Sequence, residues 1–164
     1  MVFAGTMGGH QYFTTPGGCT GSGCNLTSTD ATYAWSSNTS TPVNATNEYY
    51  GGFNTGGNAV VIPNNSTYPA EQYCESLNSG TGYAGHTDWY LPAKMEFNLL
   101  YQNKVAINQI QSSGGFYTIN TTTYYYWSST EYNTTNAWLF PSNGYMITSL
   151  KTYNTYYVRC VRRY

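Results

Sequence analysis

An α+β fold is predicted for this chain of 164 residues, and three observations predict it. The N-terminus carries two short strand-like runs split by Gly8-Gly9. The middle holds two segments whose apolar residues recur at helical spacing. From Phe116 onward the pattern is strand and turn throughout, so helices and strands are segregated along the chain, not alternating.

Taken in order, Val2-Phe3-Ala4 and Gln11-Tyr12-Phe13-Thr14 read as strands, and Pro16-Gly17 stops the second. Residues 18–58 are rich in Gly, Ser, Thr and Asn with scattered aromatics (Tyr33, Trp35, Tyr49, Tyr50, Phe53), and are read as a long, ordered, loop-rich insertion. Ala59-Val60-Val61-Ile62 reads as a short buried strand ended by Pro63. A helix follows from Pro69, with Ala70, Tyr73, Cys74 and Leu77 on its apolar face, Thr67 as its expected cap, and Gly80 and Gly82 beyond its end. A second helix opens at Leu91-Pro92, where a first-turn proline loses no hydrogen bond. Met95, Leu99 and Leu100 are its expected apolar face and Lys94, Glu96 and Asn98 its wet side. It runs to about Gln102, with a further turn over Val105 to Ile110 and a break at Gly114-Gly115. The expected terminal strands are Tyr124–Ser128, Asn136–Phe140, Tyr145–Leu150 and Tyr156–Arg162, with turns at Asn133-Thr134-Thr135, Pro141-Ser142-Asn143-Gly144 and Tyr153-Asn154-Thr155.

Bulk properties exclude several classes. One domain spanning residues 1–164 is the natural expectation at this length. Only 8% of residues are charged, the net charge is −1, and Lys and Arg together number 6, so the electrostatic footprint of a nucleic-acid binder is missing. With 19 tyrosines the chain does not read as disordered. No apolar run approaches the roughly 20 residues that span a bilayer, so no direct membrane insertion is expected. The opening MVFAGTMGGH has neither the basic end nor the apolar middle of a secretory signal. The expected location is extracellular or at a cell surface, with the export signal outside this sequence.

Four cysteines, Cys19, Cys24, Cys74 and Cys160, allow three complete pairings. Cys19 and Cys24 flank a short Gly/Ser loop and could close a small ring. A bridge between Cys74, on a helix, and Cys160, on the terminal strand, would tie the ends of the core. Disulfides are favoured over free thiols and over a metal site, since Cys-x₄-Cys has no matching second half and His10 and His86 are remote from it.

The most unusual composition lies in the last third. About two-thirds of positions 117–157 are Tyr, Asn, Thr or Ser, a mixture that suits a contact surface: tyrosine supplies large, stiff, amphipathic area, and the small polar residues supply adaptable hydrogen bonds. Trp127 and Trp138 are read as core anchors. Glu131 is read as a carboxylate that accepts backbone N–H bonds and fixes a loop, in preference to a general acid. Arg159 is expected to be a partly buried residue paired with a carboxylate, Arg162 and Arg163 are expected to be solvated, and Asp88 is read as a loop cap.

Three blocks together, YPAEQYCESL (68–77), DWYLPAKMEFNLLYQN (88–103) and the stretch from YYWSSTEYNTTNAW through SNG to YVRCVRR (125–163), carry a resemblance. The chain resembles the C-type-lectin-fold variable proteins of diversity-generating retroelements, in the branch similar to formylglycine-generating enzymes. The likeness covers nearly all of the chain outside residues 18–58. It implies a C-type lectin fold in which N- and C-terminal strands pair and two helices pack on a central sheet. It also implies that adenine-directed mutagenesis of template codons such as AAC diversifies one set of positions, giving interspersed Tyr, Asn, Thr, Ser, Leu and Ile. Carried over, that ligand-binding set is Tyr132, Asn133, Asn136, Leu139, Phe140, Tyr145, Met146, Ile147, Thr148, Ser149, Leu150, Thr152, Tyr153, Asn154 and Tyr156. The unvaried frame is Trp127, Ser128, Ser129, Glu131, Ala137, Trp138, Gly144, Lys151, Val158, Arg159, Cys160 and Val161. The chain departs from the pattern by one residue fewer between Trp138 and the Ser-Asn-Gly turn.

The resemblance therefore implies a display protein that binds a macromolecular surface ligand, a protein in the first place and a glycan in the second, with no cofactor and no catalysis. The alternative is an undiversified carbohydrate-binding or adhesin module of a surface fibre. A formylglycine-type enzyme is disfavoured, because with Cys160 taken as the partner of Cys74 no second candidate for its reactive cysteine pair is left nearby. Calcium needs several hard oxygen ligands, and Asp88, Glu96 and Glu131 are the only carboxylates from residue 88 onward, so no metal site is expected.

Overall fold

The computed structural model describes residues 1–17, 19, 30–55, 61–63, 65–113, 119, 124–140 and 144–164. Strands β1 (Val2–Met7) and β2 (His10–Thr14) form an antiparallel hairpin in which Met7 faces His10. The two residues between them, Gly8 and Gly9, have φ of 58° and 81°, the left-handed pair that a tight primed turn requires and that glycine adopts without strain. The terminal strand β8 (Val161–Arg163) adds to the other side of β2, giving a three-stranded sheet in the order β1-β2-β8. The two ends of the chain are thus paired.

The insertion contributes β3 (Thr32–Tyr33) and one helical turn, α1 (Gly51–Asn54). Over residues 30–55 it is ordered and carries core residues, Trp35 and Ala45 among them. Helix α2 (Pro69–Ser76) starts on Pro69 and turns Ala70, Tyr73 and Cys74 inward. Its N-cap is Tyr68, which makes no side-chain cap, so Thr67 does not cap it. Helix α3 (Lys94–Gln102) begins two residues after Pro92, and α4 (Lys104–Ser113) replaces the single turn expected there. Of the expected buried strand over Ala59–Ile62, residues 59 and 60 lie outside the described residues, as do the Gly114-Gly115 break, the 141–143 part of the turn and Cys24. Ile62 is buried and bridges Thr55, whereas Val61 is 36% exposed and in no strand.

A five-stranded sheet, ordered β3-β7-β4-β5-β6, is built from β4 (Tyr126–Glu131), β5 (Asn136–Phe140), β6 (Ile147–Leu150) and β7 (Tyr156–Tyr157) together with β3. Alternation along β4 and β5 places the pair Trp127 and Leu139 on one face and the pair Tyr126 and Phe140 on the other. Each face is covered. Trp127 and Leu139 join Trp35, Trp89, Leu77 and the Cys74–Cys160 bridge, and Tyr126 and Phe140 join Phe97, Leu100, Tyr90 and Val161. The bridge joins α2 to the segment leading into β8, as the sequence suggested. Cys19 is buried and is not a free thiol.

Every residue of β4 is buried although four of the six are polar. The register slips between Trp127 and Glu131, and the freed stretch bonds to loops instead. Ser128 O accepts the Trp35 indole N–H at 2.8 Å, Ser129 N–H donates to Pro92 O at 2.8 Å, and Thr130 Oγ1 donates to Asn47 O at 3.0 Å. Short hydroxyl residues are what such a site needs, because buried loop backbone must find partners.

Candidate binding surface

The surface is built around one buried ion pair. Glu131, at the end of β4, accepts the N–H groups of Val43 at 2.8 Å and Asn44 at 2.6 Å and the ammonium of Lys151. Lys151 is fully buried, lies over the Trp35 ring, and donates also to Thr134 O at 2.8 Å. Its own backbone donates to Thr135 O and accepts from Ser36, both at 3.0 Å. One pair of charges therefore pins the 132–135 turn, the end of β6 and the insertion to the sheet. The loop-fixing role read for Glu131 is the one it plays.

Around that anchor the expected contact residues separate into two groups, on opposite faces of the sheet edge. On the α3 side, Tyr132 meets Trp138 edge to face at 5.2 Å, and the Lys94 ammonium sits 4.6 Å above the same indole while pairing with Glu48. Asn136, Thr148 and Leu150 share this face through the pairs Asn136–Leu150 and Trp138–Thr148. Asn133 holds the turn through its Oδ1, which accepts the N–H groups of Thr135 and Asn136 at 3.0 and 2.8 Å. On the other face, Tyr156 packs at 5.1 Å against Trp127, at 5.8 Å against Tyr125 and at 6.2 Å against Tyr153, and its hydroxyl lies 3.1 Å from Ser149 Oγ. Ile147 shares that face. Tyr145, Thr152, Tyr153 and Asn154 are exposed, and Met146 is half-buried against the second core cluster.

Two of the expected contact residues are not on the surface. Leu139 and Phe140 are 1% and 2% exposed. Leu139 packs in the Trp127 cluster, and Phe140 is covered by α3, with ring centroids 5.3 Å from Phe97 and 5.1 Å from Tyr101. Trp138, expected in the core, is half-exposed and belongs to the surface group instead. Other expectations are corrected in the same direction. Arg162 is not solvated but buried, with a two-pronged bond to Asp88 at 2.7 and 3.0 Å, so Asp88 is an ion-pair partner more than a loop cap. Arg163 is half-buried, 3.3 Å from the Tyr50 ring. Arg159 is paired with Asp30 at 2.6 Å, as expected, and is wholly buried.

Glu96, assigned to a wet face, is buried under α1. Its carboxylate accepts the N–H groups of Gly51 and Ala93 and the Tyr90 hydroxyl at 2.8–2.9 Å. Burial pushes its pKa up to about 7, and those three donors oppose the shift. Burial likewise raises Glu71, whose carboxyl is fully enclosed, well above the usual range. The signal that could have marked Glu96 is its position three residues after Ala93, where a glutamate reaches back to a helix N-terminus.

A cavity of about 340 Å³ beside the β1–β2 hairpin, lined by Tyr12, Tyr50, Phe53 and Arg163 among others, contains none of the expected contact residues. Among the described residues no group of three or more His, Cys, Asp or Glu could hold a metal ion, and no helix is long and apolar enough to cross a membrane.

Paired chain ends, helices packed on the sheets, and loops with exposed tyrosine and asparagine beside an open edge strand fit a ligand-binding domain of the C-type-lectin-like class, the class of retroelement variable proteins, and the family match bears this out. The chain belongs to the family of the Lcl C-terminal domain, whose model matches residues 19–162. That span takes in the anchor pair, both faces of the sheet edge and every expected contact residue. No curated protein matches the chain.

Proposed function

We propose that the chain displays a hypervariable, retroelement-diversified face that recognises a macromolecular surface ligand, in the first place a protein, from an extracellular or cell-surface position. The observation that carries this is the division of labour around Glu131 and Lys151. Exposed residues such as Tyr132, Ile147, Leu150 and Tyr153 lie on backbone that the buried Glu131–Lys151 pair holds in place, with Asn133 also bracing its own turn. A surface whose backbone is held by the frame can change its side chains without refolding, and a preordered surface loses less entropy on binding. Tyr132, Tyr145 and Tyr153 are the exposed anchors, and a few such aromatic residues dominate interface energies. The chain acts as a single non-enzymatic domain. Cys160 is bonded to Cys74, and among the described residues no cysteine is a free thiol that could join a formylglycine-type reactive pair, which supports that reading.

The test is the DNA downstream of the gene. A near-copy of the segment encoding the last third, differing from it chiefly at adenines, supports diversification. Absence of such a copy would return the surface to an undiversified adhesin or sugar-binding role.

A further inference from the structure

β6 is the open edge of the five-stranded sheet, and we infer that an extended segment of a partner polypeptide adds there as a further strand. The inference rests on the proposed reading that this stretch contacts the ligand, and it specifies the kind of partner. The register pairs Ile147 with Leu139, Thr148 with Trp138, Ser149 with Ala137 and Leu150 with Asn136, and the Lys151 N–H bonds to Thr135 O. That last bond fixes the phase of the ladder. Odd-numbered residues of β6 turn their backbone groups toward β5, so the N–H and C=O of Thr148 and the N–H of Leu150 point outward. Leu150 O is taken by the Tyr153 N–H at 3.1 Å, which closes the edge at that end. Among the described residues nothing else pairs with this side of β6.

The side chains tell the same story. Ile147 and Leu150 are 42% and 38% exposed, yet the register puts them on opposite faces, Ile147 with the Tyr156 group and Leu150 with Trp138. A partner resting flat on either face would touch only one of them. A strand added at the edge places its own alternate side chains on both faces and meets both. The devices that blunt edges are also missing here: β6 has no proline and no charge, and the adjacent Lys151 is turned inward onto Glu131. An uncharged, extended polypeptide segment fits this edge. Its main chain takes up the outward hydrogen bonds, and its alternate side chains read residues 147–150 from both sides.

The experiment selects binders from a displayed library of linear random peptides and compares Thr148→Pro with Thr148→Val. Proline at 148 deletes the outward N–H and leaves the bonds to β5 in place, as edge strands tolerate; valine changes the side chain and keeps the N–H. Selected peptides are expected to bind Thr148→Pro at least roughly tenfold more weakly than Thr148→Val, the equivalent of one or two main-chain hydrogen bonds, since only the proline removes the outward N–H. Amide exchange on the unmodified protein needs no variant to fold: bound peptide should slow exchange at Thr148 and Leu150, while Ile147 and Ser149 are already slow without it. Strand addition is overturned if no peptide is enriched, if peptides bind Thr148→Pro undiminished, or if those two amides stay fast. It is equally overturned if they slow with protein concentration alone, which would assign the edge to a second copy. Binders from a displayed library of folded domains separate the two readings. Loss with Tyr153→Ala but not with Thr148→Pro keeps the recognition surface and rejects strand addition, and indifference to both rejects both.

Discussion

Replacing Glu131 by alanine should be among the most damaging single changes to this fold, and the structure sets the size of the effect. The substitution removes the acceptor for two backbone N–H groups and strands the Lys151 ammonium, which has no exposure to solvent and, among the described residues, keeps Thr134 O as its hydrogen-bond acceptor beside the Trp35 ring. Removing one partner of a buried pair costs about 3–5 kcal/mol, because the remaining charge stays desolvated. Lys151→Met should cost less, about 1–3 kcal/mol. Methionine replaces the aliphatic stem over Trp35, and the Glu131 carboxylate keeps the Val43 and Asn44 donors. Urea titration followed by tryptophan fluorescence reads both variants, and an unchanged denaturant slope would confirm that the comparison is of stability alone. A loss below about 1 kcal/mol for Glu131→Ala, or a larger loss for Lys151→Met than for Glu131→Ala, would refute the reasoning that this pair pins the loops.

Three further outcomes are expected. The double variant Cys74→Ala/Cys160→Ala opens a bridge spanning 86 residues and should lose about 4–5 kcal/mol on the loop-entropy relation; denaturation equal to that of the unmodified protein would refute it. Stability should fall as pH rises from about 4.5 to 7, because Glu96 ionises in the unfolded chain at its ordinary value but stays protonated in the fold up to about 7. The difference amounts to about 3 kcal/mol. Glu71 acts with the same sign, so Glu96→Gln should flatten the profile without levelling it, and a profile unchanged by Glu96→Gln would count against the burial argument. Tyr132→Ala and Tyr153→Ala, at 56% and 49% exposure, should each shift stability by less than about 1 kcal/mol, whereas Tyr156→Ala, packed on Trp127, should cost more; equal thermal shifts for all three would show that the exposed tyrosines are structural.

Much of the frame could be read from the residues because local chemistry carries it. Gly8-Gly9 marks its hairpin, Pro69 starts its helix, and the spacing of Ala70, Tyr73, Cys74 and Leu77 states which face is inside. The misreadings share one cause. A strand gives a period of two but not its phase, and β5 is covered on both faces at one end and on one face at the other. Phe140 therefore sits under Phe97 and Tyr101, while Trp138, two residues earlier on the same face, emerges beside Lys94. Nothing within residues 136–140 records where α3 stops covering them. Arg162 was misplaced for a related reason: its partner, Asp88, lies 74 residues away, so the burial of its charge has no local signature. Of Glu96's donors the Gly51 N–H lies 45 residues away, leaving only its spacing from Ala93 as a local cue. The hydroxyl run of β4 hid its burial too, because much of its hydrogen bonding goes to distant segments, Trp35 and Asn47 of the insertion and Pro92 before α3.

The most direct test of the recognition surface is to sequence codons 124–163 across a population of cells carrying the gene. The account expects substitutions to gather at adenine-bearing codons for Tyr132, Asn133, Asn136, residues 145–150 and 152–154, and Tyr156. It expects constancy at Glu131, Lys151, Arg159 and Cys160, and also at Leu139 and Phe140, which the core encloses. Variation spread evenly over the segment, or concentrated at Leu139 and Phe140 while the exposed positions stay fixed, would contradict it.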